Sequence, residues 1–383
     1  MTNSLRRGSA AIVGVAESDL GEVAAGMSAI DLMAQATVRA LDDCGLKLSD
    51  VDGLLSAATQ SRMATSALAE YLGVQPRYHD GTYMGGSSFM TLVAHAQAAI
   101  EAGLCEVAVI TYGSTARTGR SAAARDYNPY ETPYKPVLPV TAYALAASRH
   151  MHEYGTTREQ LAEIAVAARQ WALLNPAAWE KKPLSVADVL SARMVATPLS
   201  VRDCCLVTDG GGALVMTSAA RARSLRKPGA FVLGSGETLS HLTVSNMPDL
   251  TVTGARRSGD AAYRMAGLGP SDMDIAEVYD AFTITTLLFL EDLGFCPKGE
   301  GGRFVQDGAI APGGRLPVNT NGGGLSYCHP GMYGIFPLIE AVRQIRGECG
   351  PRQVADVETA IVHGNGGVLS SQSTVILGAA STV

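Results

Sequence analysis

The chain has 383 residues, of which 47% are hydrophobic, and a net charge of −6 with no long basic run. This balance excludes a nucleic-acid-binding protein or an electrostatic membrane anchor, and the chain exceeds what one core usually holds, so two lobes are expected. No apolar run reaches transmembrane length, the opening Met1-Thr-Asn-Ser-Leu-Arg-Arg7 is no signal peptide, and the seven cysteines show no Cys-x-x-Cys spacing. The expectation is a cytoplasmic enzyme with neither a metal site nor a disulfide framework.

In chain order, a strand-like Ala10-Ala-Ile-Val-Gly-Val15 comes first, followed by a helix with apolar residues at helical spacing over 30–46. Gly45-Leu46-x-x-Ser49-Asp50-Val51-Asp52 closes that helix before the apolar Gly53-Leu54-Leu55. A helix over 92–103 then leads to a strand over 105–111. Residues from about 116 to 200 change character: Arg125-Asp-Tyr-Asn-Pro-Tyr-Glu-Thr-Pro-Tyr-Lys-Pro136 is too rich in proline to be a helix or central strand and reads as a loop. Helices follow at 141–154, with Thr141 as cap, and at 158–174, with Thr157 as cap and Glu159 in the first turn. Beyond them, Asp203-Cys-Cys-x-x-x-Asp209-Gly-Gly-Gly-Ala213 reads as a glycine-rich turn entering a buried strand.

The second half repeats the first. Gly267-Leu268-x-x-Ser271-Asp272-Met273-Asp274 precedes Ile275-Ala-Glu-Val-Tyr279, and a helix over 336–347 leads to a strand over 357–363. Helix and strand alternating with short turns predicts α/β layers, and the repeat predicts two similar lobes packed together.

Chemistry-bearing residues concentrate in three segments of the second half. The densest is Asn319-Thr-Asn-Gly-Gly-Gly-Leu-Ser-Tyr-Cys-His-Pro-Gly-Met-Tyr-Gly334, where glycines allow close backbone approach and His329 sits before a rigid proline. The others are Val278-Tyr279-Asp280-Ala281-Phe282 and Val362-His363-Gly364-Asn365-Gly366-Gly367. In this order they resemble the C-terminal half of a thiolase, whose patterns read Asn-Glu-Ala-Phe, Gly-His-Pro and a Cys-x-Gly-Gly loop. The resemblance implies the thiolase fold: an α/β chain of two pseudo-repeated, α-β-α layered lobes, residues 1–225 and 226–383, with a loop and helical insertion near 116–200 in the first.

The departures from the thiolase pattern carry the functional expectation. The segment that holds the thiolase nucleophile is here Asp80-Gly-Thr-Tyr-Met-Gly-Gly-Ser-Ser-Phe-Met-Thr-Leu92, with Gly86 at the cysteine position. Ser87 and Ser88 are either substitutes or helix caps, and capping is the simpler role because a serine nucleophile needs an adjacent base. His363 stands at the second cysteine position, Tyr279 at the asparagine and Cys328 at the glycine before the retained His329. An oxyanion donor without a nucleophile points to enolate chemistry without an acyl-enzyme.

Val278-Tyr-Asp-x-Phe-Thr283, Glu291-Asp-Leu-Gly-Phe-Cys-x-Lys-Gly-Glu300, Gly313-Gly-Arg-Leu-Pro-x-Asn-Thr320 and Gln344-x-Arg-Gly347 resemble the sterol-carrier-protein-type, lipid-transfer-protein branch of the family, which includes steroid side-chain aldolases. That branch has Tyr-x-His-Gly where this chain has Tyr327-Cys-His-Pro330. The resemblance implies retro-aldol cleavage of a β-hydroxyacyl-CoA, with Tyr279, Tyr327 and His329 as catalytic residues. Gly85, Gly86, Asn321, Cys328, His363 and Gly366 are the substrate-binding positions it implies. No cofactor is implied beyond the coenzyme A of the substrate. The implied partner is a small OB-fold, zinc-ribbon protein, bound to a homodimer as the core of a heterotetramer. An acyltransferase with another nucleophile and a non-catalytic acyl-CoA or lipid carrier are the alternatives.

The bland readings are specific too. A phenol has a pKa near 10, so a tyrosine base at neutral pH must be lowered by roughly three units or bear about 4 kcal/mol. Tyr279 as a core-edge residue, and Tyr327 and Tyr333 as pocket walls, are the structural alternatives. Asp280 follows Tyr279 and points to the other face of a strand, which predicts a supporting role. His95, inside an Ala-rich helix, is read as structural, and His150 and His152, two residues apart, are not brought onto one face by a helix.

Overall fold

A computed structural model describes residues 5–119 and 129–383; the first part of the Pro- and Tyr-rich segment, 125–128, lies outside the described residues. Nine strands form one mixed sheet, and its order explains the repeat. The first half holds β1 (Ala10–Glu17), β2 (Gly53–Ser56), β3 (Tyr78–Gly81) and β4 (Val107–Ser114). β5 (Met194–Ala196) and β6 (Leu199–Ser200) pair only with each other, and β7 (Gly210–Ser218) completes this half. The second half holds β8 (Ala230–Leu239), β9 (Ile275–Val278), β10 (Thr359–Gly366) and β11 (Ser371–Gly378).

The order β3-β2-β4-β7-β1-β8-β11-β10-β9 is a mirror about the seam between β1 and β8. That seam is narrow, with Ala11 opposite Phe231 and Ile12 opposite Ala230. On one side β2 runs parallel to both β3 and β4; on the other β9 runs parallel to β10, and Ala276 bridges in parallel to Val318, which stands where β3 stands. Apart from the edge strand β3 and the outer half of β8, the strands of this sheet are buried along nearly their whole length, which explains why they read as continuous apolar runs rather than alternating ones.

Eleven helices among the described residues flank and fill this sheet: α1 (Ala29–Cys44), α2 (Ala64–Leu72), α3 (Ser88–Glu101), α4 (Val140–Tyr154), α5 (Arg158–Leu173), α6 (Val186–Leu190), α7 (Ala219–Ala222), α8 (Ala255–Ala266), α9 (Thr283–Asp292), α10 (Gly301–Phe304) and α11 (Ile335–Arg346). α1 covers β1, β4 and β7, and α8 covers β8 and β11. α3 and α11 touch strands of both halves and so form the middle layer. The first six residues of α3, Ser88–Val93, are buried on every side and carry no charge, whereas its later turns bring His95 and Glu101 to the surface. None of the described helices is long and apolar enough to cross a membrane, and no cluster of metal-ligating side chains occurs among the described residues.

Helix ends follow local chemistry where a hydroxyl can reach a free amide. Ser28 and Asp31 form a reciprocal capping box at α1, Gly45 closes it at φ 77°, and Thr157 caps α5 with Gln160 as its partner. Two expectations need correction. Thr141 lies inside α4, which starts at Val140 after Pro139, and its hydroxyl accepts from the Val137 amide instead. Ser87 is not a side-chain cap, because a 3₁₀ turn over Gly85–Ser87 precedes α3 and turns its hydroxyl toward the Met84 carbonyl and the Ser371 hydroxyl, 2.9 Å away in each case. Ser88 instead accepts from the Met84 amide at 3.1 Å.

Candidate active site

Tyr279 follows the last residue of β9, and its amide donates to the His363 carbonyl at 3.0 Å, which carries the register with β10 one residue beyond the strand. The chain then turns into α9, leaving the phenol directed into the junction between the halves. Its oxygen lies 2.9 Å from His329 Nε2 and accepts the Tyr333 amide at 3.1 Å. Edge contacts to the His329 and Tyr333 rings, with centroids at 5.6 and 5.8 Å, fix the ring plane.

Burial pushes the His329 imidazole down to about 4, against a smaller opposing effect of its own backbone, so the ring is neutral at physiological pH. Burial likewise pushes the Tyr279 phenol well above its ordinary value. A neutral phenol therefore faces a neutral imidazole. In the Nδ1–H tautomer, Nε2 accepts the phenol hydrogen while the Tyr333 amide occupies the other side of the oxygen. Two bonds between residues 208 and 329 hold His329: its amide donates to Thr208 Oγ1 at 3.0 Å, and its carbonyl accepts from the Thr208 amide at 3.3 Å.

The glycine-rich run forms a π turn over Gly323–Tyr327, entered through Gly322 at φ 104° and Gly323 at φ 68°. Asp280 pins this turn, accepting from the amides of Gly324 at 2.6 Å and Leu325 at 3.2 Å. A side chain at 323 would strike that carboxyl group. Burial pushes Asp280 up to about 7, with the two amides pulling the other way.

The turn separates the two tyrosines of the sequence motif. Tyr327 points away from the Tyr279–His329 pair and donates to Glu17 at 2.9 Å, where Arg343 also binds, beside a cavity of about 400 Å³ lined by Asn175, Arg343 and Arg352. Burial opposes ionisation of Glu17, yet Arg343 and the hydrogen bonds from Arg343 and Tyr327 outweigh it and hold the carboxyl below its ordinary value. Asn321 accepts the Tyr333 hydroxyl at 2.7 Å and the Gly323 amide at 2.8 Å. His363 is fully buried, bonded to Thr374 and Gln372 at 2.8 Å each and set against Phe289. Cys328 is buried, and burial raises its thiol. Gly85, at φ 74°, and Gly366 approach each other backbone to backbone: a Cβ on Gly85 would fall 2.8 Å from Gly366 Cα. Gly86 lies behind Tyr279. The structure thus brings Tyr279, His329 and Gly86 together, while Asn321, Cys328 and His363 have their side chains enclosed around them.

One set of neighbours was not singled out from the sequence. A cavity of about 280 Å³ is lined by Arg117, Arg169, Arg202, Trp179, Cys204, Cys205, Leu325 and Ser326. Arg117 stacks on Trp179 at 4.7 Å, and Arg169 binds Ser326 at 3.0 Å and Glu180 at 3.2 Å. The segment lining one wall runs directly to the Tyr279–His329 pair: Cys205 bonds Ala281, Leu206 bonds Gly324 and Thr208 bonds His329. Read as a glycine-rich turn, residues 203–213 gave no spacing signal for this wall, because the cavity is made by segments distant in sequence.

Comparison with known proteins agrees with this architecture. The family described as Thiolase C-terminal domain-like matches residues 236–379. The chain is 36% identical to a 17-hydroxy-3-oxo-4-pregnene-20-carboxyl-CoA lyase of Mycobacterium tuberculosis, over 95% of this chain and 98% of that protein. It is 35% identical to a steroid side-chain-cleaving aldolase of Thermomonospora curvata, over 98% and 99% of the two chains. Among solved structures, an Ltp2-ChsH2(DUF35) aldolase superposes with a TM-score of 0.88 at 34% identity, covering 98% of this chain and 99% of that one. The chain belongs to the thiolase superfamily, in its sterol-carrier-protein-type, thiolase-like branch.

Proposed function

We propose that this chain is a carbon–carbon lyase that cleaves a β-hydroxyacyl-CoA, with a steroid side chain or related acyl group, into a ketone or aldehyde and a shorter acyl-CoA. The observation that carries it is the 2.9 Å bond between Tyr279 and a neutral His329, beside a position 86 that has no side chain. In this reading the Tyr279 oxygen takes the proton of the β-hydroxyl as its own proton passes to Nε2. The electrons of that O–H bond form the new carbonyl, the Cα–Cβ bond breaks, and its pair becomes the thioester enolate. The enolate carbon recovers a proton from the imidazolium by way of Tyr279. No covalent intermediate is needed; loading the proton on an imidazole that burial holds down to about 4 costs about 4 kcal/mol at neutral pH, the same scale as a lone phenol base, and His329 returns that proton within the same cycle.

The cavity beside Cys205 supplies the route for coenzyme A in this proposal. Its three guanidinium groups, offset by two carboxylates, Glu180 on Arg169 and Arg202 and Glu22 on Arg117, leave a net positive charge that suits phosphates, while Leu325 and Cys205 lead inward toward the turn that Asp280 pins. Tyr327 acts one step removed, holding the end of that turn on Glu17. A cytoplasmic homodimer bound to a small OB-fold, zinc-ribbon partner completes the proposal. Two observations support it: the superposable Ltp2-ChsH2(DUF35) aldolase and the exposure of Tyr134 and Val137 at 85% and 61%. Product analysis of β-hydroxyacyl-CoA esters, with the chain alone and with a co-expressed partner, tests the reading. A ketone or aldehyde with an acyl-CoA in equal amounts is expected; only CoA-dependent acyl exchange would replace it with acyl transfer.

A further inference from the structure

Position 86 is closed by more than the absence of a thiol. A Cβ built on Gly86 falls 2.6 Å from Cδ2 of Tyr279, closer still to Cε2, and 2.8 Å from the Asn365 carbonyl. Neither side can retreat. The Tyr279 ring is 4% exposed and tied through its oxygen to His329 and the Tyr333 amide. The Gly86 backbone is locked from behind, since a Cβ on Gly334 would meet the Gly86 carbonyl and one on Gly364 would fall 2.9 Å from Ser87 Cα.

We propose that Gly86 and Tyr279 are a matched steric pair that sets the type of reaction: the phenol ring fills the volume into which any side chain of residue 86 would project. The site therefore holds an acid–base phenol or a nucleophile on the turn that leads α3, and not both. The steric half of this proposal is independent of the retro-aldol reading; only the identity of the reaction that the pair selects rests on it. Clearing the ring opens the complementary chemistry. A thiol at position 86 would precede a helix of 14 residues, whose N-terminus favours the thiolate. That sulfur attacks a thioester carbonyl carbon, the carbon–sulfur bond to coenzyme A breaks, and the departing CoA thiolate takes up the proton the cysteine released.

The test is a double-mutant cycle with Gly86→Cys, Tyr279→Ala and the pair, read first by thermal unfolding. Gly86→Cys in the native background is expected to lower Tm by about 1–4 °C, the scale for overpacking a core in a chain of this size. In the Tyr279→Ala background the same change is expected to cost less than half as much, because the clash with the ring is gone and only the contact with the Asn365 carbonyl remains. Incubation with acetyl-CoA followed by intact mass measurement gives the second readout: one acetyl group per chain on the double variant and none on either single variant. If Gly86→Cys does not accumulate, Gly86→Ala in the two backgrounds reads the same coupling. Equal Tm losses in both backgrounds would overturn the steric pair, and a coupled but unacetylated double variant would overturn its part in choosing the reaction. Failure of the wild type to cleave a β-hydroxyacyl-CoA would instead sink the lyase reading and leave the coupling intact.

Discussion

Tyr279 and His329 were legible in the sequence as residues, but their pairing was not, because 50 positions separate them and a turn chooses which tyrosine meets the imidazole. Tyr279→Phe keeps the ring and removes only the hydroxyl, so the fold should be retained while the rate of cleavage falls about 10²-fold or more. His329→Ala should be at least as damaging. Tyr327→Phe separates the geometry from the motif: with its hydroxyl on Glu17, it should cost about 1 kcal/mol of stability and little rate. A loss in kcat equal to that of Tyr279→Phe would return Tyr327 to the chemistry. His363 gives a pH test in which the sign is fixed. Burial pushes its folded value down to about 4 from an ordinary 6.5, so as pH falls the unfolded chain binds the proton first. Its contribution is complete above pH 6.5 and is lost by pH 4, a few kcal/mol in all. Urea unfolding of wild type and His363→Gln across that window should show the gap between them changing by that amount, and a constant gap would contradict a neutral buried ring.

At the level of elements, the junction of β9, the 319–321 segment and α11 carries its own proton count. The Thr320 hydroxyl has one hydrogen yet lies 2.8 Å from both Glu277 and Glu340, so one carboxyl group must supply the second. Glu340 is paired with Arg352 through two bonds of 2.8 and 2.9 Å, whereas burial and the charge of Glu340 push Glu277 well above the carboxylate range. Glu277 is therefore the protonated member. Glu277→Gln should change stability by less than about 1 kcal/mol at pH 7, and Glu340→Gln should cost about 3–5 kcal/mol by stranding Arg352; chemical denaturation compares them directly. Local signals for elements were readable where a side chain acts within its own turn, as Ser28 and Gly45 do at α1. They failed at Thr141, where the incoming chain sets the start of α4, and at the π turn, whose shape depends on a carboxyl group 44 residues away.

For the whole molecule, the repeat was legible because each half writes the same helix, Asp-rich turn and strand, and the mirrored sheet follows from it. The cavity beside Cys205 was not, since its walls come from Arg117, α5, residues 179–184, residues 201–207 and the π turn. Burial pushes Cys204 up to about 12 and Cys205 further, so thiolates are scarce at neutral pH. Iodoacetamide at pH 7 should accordingly leave cleavage unchanged, and mass measurement after incubation of the wild type with an acyl-CoA should find no adduct. Rapid labelling of Cys205 at neutral pH would contradict a thiol held in its neutral form.

The middle layer has an electrostatic consequence. α3 follows the turn that holds Gly86, α11 begins immediately after Tyr333 and Gly334, and Gly334 lies against the Gly86 carbonyl. Two helix starts, one from each half of the mirror, thus converge on one point, each bringing partial positive charge. The Tyr333 amide on the Tyr279 oxygen belongs to this convergence. Like ends brought together repel, and that repulsion is relieved when negative charge forms between them. The duplicated architecture therefore acts as a capacitor charged in the resting protein and discharged by an oxyanion, a field that neither half produces alone.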